Sequence, residues 1–287
     1  MNKITKDILK EIYKPRNKES KKYDFGLLTI IGGSEFYSGS PALSSLAAFR
    51  AGVDMVRIIA PKRAADIIAS FTPDLAAYPL EGTHISKDHL ATMLSLTESA
   101  KEVAGGKTAV VIGGGTGRTR ETQEVILEYL SKIQVPVVID ADAIHALAQN
   151  PGVIAGKNFL ITPHSYEFFI LTKKNIQKLS DEEKIKIVEA EAERLKTTIL
   201  LKGKLDIISN GKETATGDLG NPYMTVGGTG DTLAGIAGAI LARGINPFIA
   251  AQGAVYINGK AGEVASQKKK DGFIATDLIS VIPEVIV

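Results

Sequence analysis

A chain of 287 residues, 44% of them hydrophobic, is long enough to bury a sizeable core as one large α/β domain or two smaller ones. Lysine plus arginine number 34 against 32 aspartate plus glutamate, and a net charge of +2 gives no bulk electrostatic reason for nucleic acid or an anionic membrane as partner. The absence of cysteine excludes disulfides, thiol nucleophiles and cysteine-ligated metals, and with neither a signal-peptide pattern nor an apolar run near membrane-spanning length a soluble, cytoplasmic protein is expected.

Residues 1–24 carry Lys3, Lys6, Lys10, Lys14, Arg16, Lys18, Lys21 and Lys22 beside a short apolar face of Ile4, Ile8, Leu9 and Ile12. The pattern predicts a surface helix and a basic tether, because basic runs are usually solvated; a phosphate-binding tail is the alternative. The main domain, expected over 25–287, opens with the apolar run 25–31, which suits a parallel strand covered on both faces and ends in Gly32-Gly33-Ser34. A helix with Pro41 in its first turn and a strand over 55–60 follow, making a strand, glycine loop, helix, strand crossover. Its loop falls at the carboxyl end of a strand, where open α/β sheets bind ligands.

The unit recurs. A strand over 108–112 runs into Gly113-Gly114-Gly115-Thr116-Gly117-Arg118 and a helix over 120–132. A strand over 135–139 delivers Asp140 and Asp142 ahead of a short helix over 143–148, and a strand over 159–162 delivers Pro163 and His164 ahead of a helix carrying Glu167. A strand over 198–201 ends at Lys202-Gly203 and is paired with 206–209 in a hairpin through Asn210-Gly211. Glycines, carboxylates, a histidine and a lysine thus converge on one edge, which speaks more strongly than any one motif. Singly, Asp140 and Asp142 also read as turn formers or helix caps, and His164 as satisfying a loop carbonyl. Lys202 is less easily explained away, since an ammonium at the mouth of a buried strand is costly unless it meets an anion. No histidine shows metal-ligand spacing, and no residue is assigned to a metal.

The stretch 221–235 stands at the centre of this organisation. Gly227, Gly228, Thr229 and Gly230 open an apolar helical pattern that Gly244 closes. Glycines let backbone approach a ligand, and the free N–H groups of a first helical turn suit a phosphate. Asp231 would repel that anion, so its natural task is that of a general base taking a proton from a hydroxyl that attacks a phosphoryl group; a tight turn capped by Asp231 is the plainer alternative. Neither a P-loop nor a dinucleotide-binding fingerprint fits this spacing.

Gly-Ser-x-x-Tyr-x-Gly at 33–39, Gly-Gly-x-Gly at 114–117, Asp-Ala-Asp-Ala at 140–143, Thr-Pro-His at 162–164, Leu-Lys-Gly at 201–203 and Gly-Asn-Pro-x-Met-x-x-Gly-Gly-Thr-Gly-Asp at 220–231 occur in this order. Together they resemble the ADP- or ATP-dependent NAD(P)H-hydrate dehydratases of the ribokinase-like superfamily, over roughly 25–287 and without the epimerase domain often fused to them. The resemblance implies an α/β fold of three layers, with a mostly parallel sheet between helices on both faces. It implies phosphorylation of the hydroxyl on the hydrated nicotinamide ring, then elimination of phosphate to restore NADH or NADPH. Asp231 would be the base; Ser40, Gly117, His164 and Asp231 would touch the hydrate; Lys202, Gly203, Lys204, Leu205, Asp206 and Gly230 would touch the nucleotide; Gly227, Gly228, Thr229 and Gly230 would hold the phosphoryl group. Asp140, Asp142 and Asn221 would support them. Magnesium is implied with ADP or ATP as co-substrate, and a homo-oligomer, a tetramer, as the assembly.

The chain departs from the family pattern at Asp206 (usually threonine), Tyr223 (glycine), Ser165-Tyr166-Glu167 (Pro-Gly-Glu), His145 (asparagine) and Val53-Asp54. Asp206 matters most, because a carboxylate near the nucleotide opposes phosphate binding unless it faces away or holds a cation. Two competing functions remain: a kinase of the same superfamily, which would release a stable phosphorylated alcohol such as a vitamin precursor, and a non-catalytic nucleotide-binding protein, which would be indifferent to Asp231→Asn.

Overall fold

A computed structural model describes residues 2–287. The strands are β1 (Asn2–Lys3), β2 (Leu27–Ile31), β3 (Met55–Pro61), β4 (Ala76–Leu80), β5 (Thr108–Ile112), β6 (Val137–Ile139), β7 (Phe159–Ile161), β8 (Thr198–Leu201), β9 (Asp206–Ser209) and β10 (Thr214–Gly217). They form one ten-stranded sheet in the order β1-β10-β9-β8-β7-β6-β5-β2-β3-β4, parallel except that β9 runs antiparallel to both its neighbours. The helices are α1 (Ile8–Ile12), α2 (Gly39–Arg50), α3 (Lys62–Ala69), α4 (Leu90–Val103), α5 (Arg120–Lys132), α6 (Asp142–Leu147), α7 (Ser165–Thr172), α8 (Asp181–Leu195), α9 (Thr229–Ala242), α10 (Pro247–Lys269) and α11 (Ala275–Val285).

The two-residue side-chain period of the strands divides the core in two. Leu28, Ile30, Ala109, Val111, Leu200 and Ile208 face a layer made by α1, α2, α3, α9, α10 and α11. Ile31, Val110, Ile112, Ile199, Leu201 and Ile207 face the layer of α4 to α8. Because both faces are covered, these strands read in sequence as continuous apolar runs. Caps mark the helix starts: Thr119 accepts from the Thr122 N–H ahead of α5, Ser180 and Glu183 form a capping box on α8, and Asn246 with Pro247 opens α10. No helix among the described residues is long and apolar enough to cross a membrane.

The amino-terminal segment corrects the surface-helix expectation. β1 adds in parallel to β10, and Ile4, Ile8, Leu9 and Ile12 are buried in the same cluster as α9 and α10. Arg16 holds the following turn by donating to Asp54 and to the Gly52 carbonyl while lying 3.8 Å over the Phe25 ring. The apolar face read in the sequence is what docks, and the lysines around it stay exposed. The hairpin is also corrected: Asn210-Gly211 joins β9 to β10, with Asn210 Oδ1 accepting from the Lys212 and Glu213 N–H groups, and the β8–β9 link is residues 202–205.

α9 is apolar on every side and lies between the sheet, α2 and α10. Its glycines are places of contact: a Cβ at Gly235 would come within 2.8 Å of the Ser44 backbone, and one at Gly238 within 3.0 Å of the Leu28 side chain. That close packing fixes where the amino end of α9 falls.

Candidate active site

The parallel strands β2, β5, β6, β7 and β8 all end at the edge where α9 begins. The Gly33 N–H donates to the Gly114 carbonyl at 2.9 Å and the Gly113 N–H to the Ile31 carbonyl at 3.1 Å, clasping the loops after β2 and β5 together. Gly228 caps α9 with φ +99, a left-handed conformation costly for other residues, and any Cβ there would press on Leu43 and Ala275. Asp231 lies in the first turn. Ser40 Oγ donates to its Oδ1, and Ser44 Oγ donates to its backbone carbonyl at 2.9 Å. A Cβ on Gly114 would come within 3.2 Å of Asp231 Oδ1, so the glycine makes room for the carboxylate. Burial pushes the Asp231 carboxyl up to about 6, aided by nearby Asp140 and opposed by Ser40 and Lys202. That is a suitable range for a base working near neutral pH.

On one side of Gly230 opens a cavity of about 550 Å³, lined by the Lys202, Gly203, Lys204 and Asp206 turn, by 218–222, by Thr229 and Gly230, and by Val255, Asn258 and Gly259 of α10. Its size suits a nucleotide. Lys202 stands at its inner end: its Nζ is 2.8 Å from Asp140 Oδ1, 3.9 Å from Glu167 Oε2, and would lie 3.6 Å from a Cβ on Gly230. Burial works against its charge, yet Asp140 and Glu167 together raise its pKa, so it stays an ammonium. Asp140 also accepts from Thr162 Oγ1 at 2.7 Å, which makes it a buried, paired carboxylate.

Ser40 adjoins Asp231, while Gly117 and His164 sit in the segments that follow β5 and β7 at the same edge. The Gly117 N–H donates to Asp142 Oδ2 at 2.9 Å, and Arg118 Nε donates to Asp142 Oδ1 at 2.6 Å, so Asp142 shapes this loop. His164 caps α7: its Nδ1 accepts from the Tyr166 and Glu167 N–H groups at 3.1 and 3.3 Å, which assigns the proton of the neutral ring to Nε2. Tyr166 stacks beside it, with ring centroids 6.5 Å apart.

Several expected residues take other places. Leu205 packs into the core on the far face of the sheet, away from the cavity. Gly227 and Gly228 shape the turn before α9 and do not line the cavity. Thr229 turns its hydroxyl inward to the Met224 and Val226 carbonyls. Asn221 lines the cavity, caps the turn at Pro222–Met224 and donates to Ser266 Oγ at 2.6 Å. Asp206 faces the cavity and accepts from the Gly203 N–H at 2.9 Å; burial pushes its carboxyl up to about 7 against that bond and Lys202. His145 leaves its buried Nε2 without a hydrogen-bond partner, and burial lowers its pKa, with Arg118 adding to the effect.

Sequence reading missed Asn258, whose Nδ2 donates to the Thr229 carbonyl at 3.2 Å and whose Oδ1 accepts from Thr232 Oγ1 at 2.7 Å. An asparagine within an otherwise apolar stretch was the available signal. Tyr37 was missed as a site residue too: its ring lies against Gly39 and Gly115, next to the glycine that faces Asp231, and partial burial and Asp231 raise its pKa. Among the described residues no cluster of three or more histidine, aspartate or glutamate side chains is arranged to hold a metal. An ion carried by nucleotide phosphates and water needs no such cage.

A glycine-capped helix start, a partly buried carboxylate beside it, an adjoining ammonium and a nucleotide-sized cavity, all at one edge of a mostly parallel sheet, are the α/β architecture of the ribokinase-like class. The NAD(P)H-hydrate dehydratase family model matches residues 28–284, and the chain belongs to that family. It is 36% identical over 284 residues to the ADP-dependent (S)-NAD(P)H-hydrate dehydratase of Cenarchaeum symbiosum, covering 99% of this chain and 96% of that one. It is 38% identical over 275 residues to the bifunctional NAD(P)H-hydrate repair enzyme of Methanothermobacter thermautotrophicus, covering 94% of this chain and 51% of that protein. The chain therefore spans about half the length of the curated bifunctional relatives it matches. The crystal structure of the ADP/ATP-dependent NAD(P)H-hydrate dehydratase from Bacillus subtilis shares the fold with a TM-score of 0.81 at 24% identity, covering 99% of this chain and 97% of that one.

Proposed function

We propose that this chain returns hydrated NADH or NADPH to the reduced dinucleotide at the expense of an adenine nucleotide. The observation that supports the reading most is Asp231 itself, a partly buried carboxylate in the first turn of α9, joined to Ser40 and one residue from Gly230 in the cavity wall. Asp231 takes the proton of the ring hydroxyl as its oxygen attacks the terminal phosphoryl group, and the bond from that phosphorus to the rest of the nucleotide breaks. The N–H groups at the start of α9 and the Lys202 ammonium receive the charge of the transferring group. Phosphate then leaves the ring with its bonding electrons, and loss of a proton from the adjacent carbon restores the double bond. A hydroxide would leave poorly, which is why the nucleotide is needed.

The donor proposed is ADP, giving AMP, in keeping with the description of the relatives of equal length from Cenarchaeum symbiosum and Nitrosopumilus maritimus. Magnesium would travel with the nucleotide phosphates and neutralise part of their charge. A cytoplasmic setting and a homo-tetramer complete the proposal, the latter checked by light scattering. The deciding experiment mixes the protein with hydrated NADH, magnesium and ADP or ATP and follows near-ultraviolet absorbance. Nucleotide-dependent recovery that vanishes in Asp231→Asn supports the reading. Folded protein that gives no recovery with either nucleotide overturns it, and accumulation of a stable phosphorylated alcohol would mark a kinase instead.

A further inference from the structure

We propose that Glu167 is a positioning residue that couples the nucleotide side of the site to the dinucleotide side; the proposal rests on the functional reading above. The backbones of β7 and β8 continue past their strands in one isolated parallel bridge, His164 to Lys202, where the Lys202 N–H donates to the Pro163 carbonyl at 2.8 Å. The bridge sets a residue of each side next to the other. Glu167, in the first turn of α7, lies across that pair. Its Oε2 accepts from the His164 N–H at 2.9 Å and faces Lys202 Nζ at 3.9 Å, while its Oε1 faces His164 Nε2 at 3.4 Å.

Glu167 is 5% exposed, so its charge is costly unless shared. A helix cap alone would need only one oxygen at the His164 N–H. Here the remaining oxygen and the remaining charge are directed at the two side chains that serve different ligands. Asp140 is the rival for Lys202, at 2.8 Å. When nucleotide phosphates draw the Lys202 ammonium toward the cavity, Glu167 loses its share of that cation and turns its charge onto the Nε2–H of His164. The ring is then held in one orientation on the dinucleotide side. Reciprocity requires that a dinucleotide resting on His164 favour nucleotide binding by the same factor.

Calorimetric titration of the whole chain with AMP, NADH, and each in the presence of the other tests this without turnover. Wild-type affinity for AMP is expected to rise about fivefold or more when NADH is saturating, the lower end of common coupling strengths. In Glu167→Gln, whose amide oxygen still accepts the His164 N–H and keeps the cap, the coupling should fall within about twofold while each ligand alone binds within about threefold of wild type. Glu167→Asp keeps a carboxylate but draws it back from Lys202 and the His164 ring; it should lower the coupling too, which keeps the test alive should Glu167→Gln fail to fold. Binding of both ligands without coupling in wild type, or full coupling in a folded variant, overturns the role of Glu167. Failure of wild type to bind either ligand overturns the functional reading and this inference with it.

Discussion

The proposed nucleotide side of Asp231 is a cavity walled largely by one run of chain, residues 202–230, with the middle of α10 behind it, whereas the residues of the proposed dinucleotide side come from the separate ends of β2, β5, β6 and β7. A cavity made by contiguous chain keeps its shape through packing. A face made from distant segments keeps it through hydrogen bonds across the strand ends: Ser40 to Asp231, Gly117 to Asp142 and Thr162 to Asp140. Damage to the first should therefore show in nucleotide affinity, and damage to the second in turnover.

The sharpest break comes at the boundary itself. Asp231→Asn should lower kcat by about two to four orders of magnitude through loss of the general base. The same carboxyl gives turnover an acid limb: activity should fall as pH drops through about 6, where the base becomes protonated. Stability moves the other way. A carboxyl raised from its ordinary 3.8 to about 6 in the fold binds its proton more tightly when folded, so it disfavours the folded state as pH rises through that window. At neutral pH, Asp231→Asn should melt no lower than wild type in calorimetry, which separates a dead enzyme from an unfolded one.

A pair of glycine substitutions contrasts the two sides. Gly114→Ala sets a methyl against Ser40 and Asp231 and should cost about 10²-fold in kcat, as a displacement near 1 Å does, with nucleotide KM little changed. Gly259→Ala sets a methyl 2.6 Å from Leu219 Cβ in the cavity wall, and should raise nucleotide KM about tenfold while kcat stays close to wild type. Steady-state kinetics on both variants reads the split; reversal of the pattern would dissolve the distinction between the sides.

The smallest effect lies with Asp206. Its carboxyl, pushed up to about 7, ionises inside the cavity as pH rises and then repels phosphate. Nucleotide KM should climb a few-fold across neutral pH in wild type and climb less in Asp206→Asn, the difference between the two profiles removing the nucleotide's own titration.

The central sheet was legible where burial on both faces wrote apolar runs: 108–112 and 198–201 coincide with β5 and β8, and 206–209, bounded by Asn210-Gly211, with β9. The place of Asp231 in the first turn of α9 was legible because Gly227, Gly228 and Gly230 run straight into an apolar pattern at helical spacing. The short edge strand β4, with Pro79 and an exposed Tyr78, carries no such pattern. The 23-residue α10 is buried over most of its length, so Gln252, Asn258 and its glycines blurred the helical stripe that a surface helix would show. Glu167 was visible as a carboxylate on the helix after His164, but its pairing was not, because Lys202 is distant in sequence and comes beside it only when β7 and β8 pair.

The seating of α9 on Ser44 and Leu28 ties the base to the interior of the molecule: with Gly235 and Gly238 flush against their neighbours, the helix has no slack along its axis. Warming therefore has no gentle way to misplace Asp231. Inactivation on heating should track the global melting curve, without an earlier phase in which folded protein has lost its catalyst.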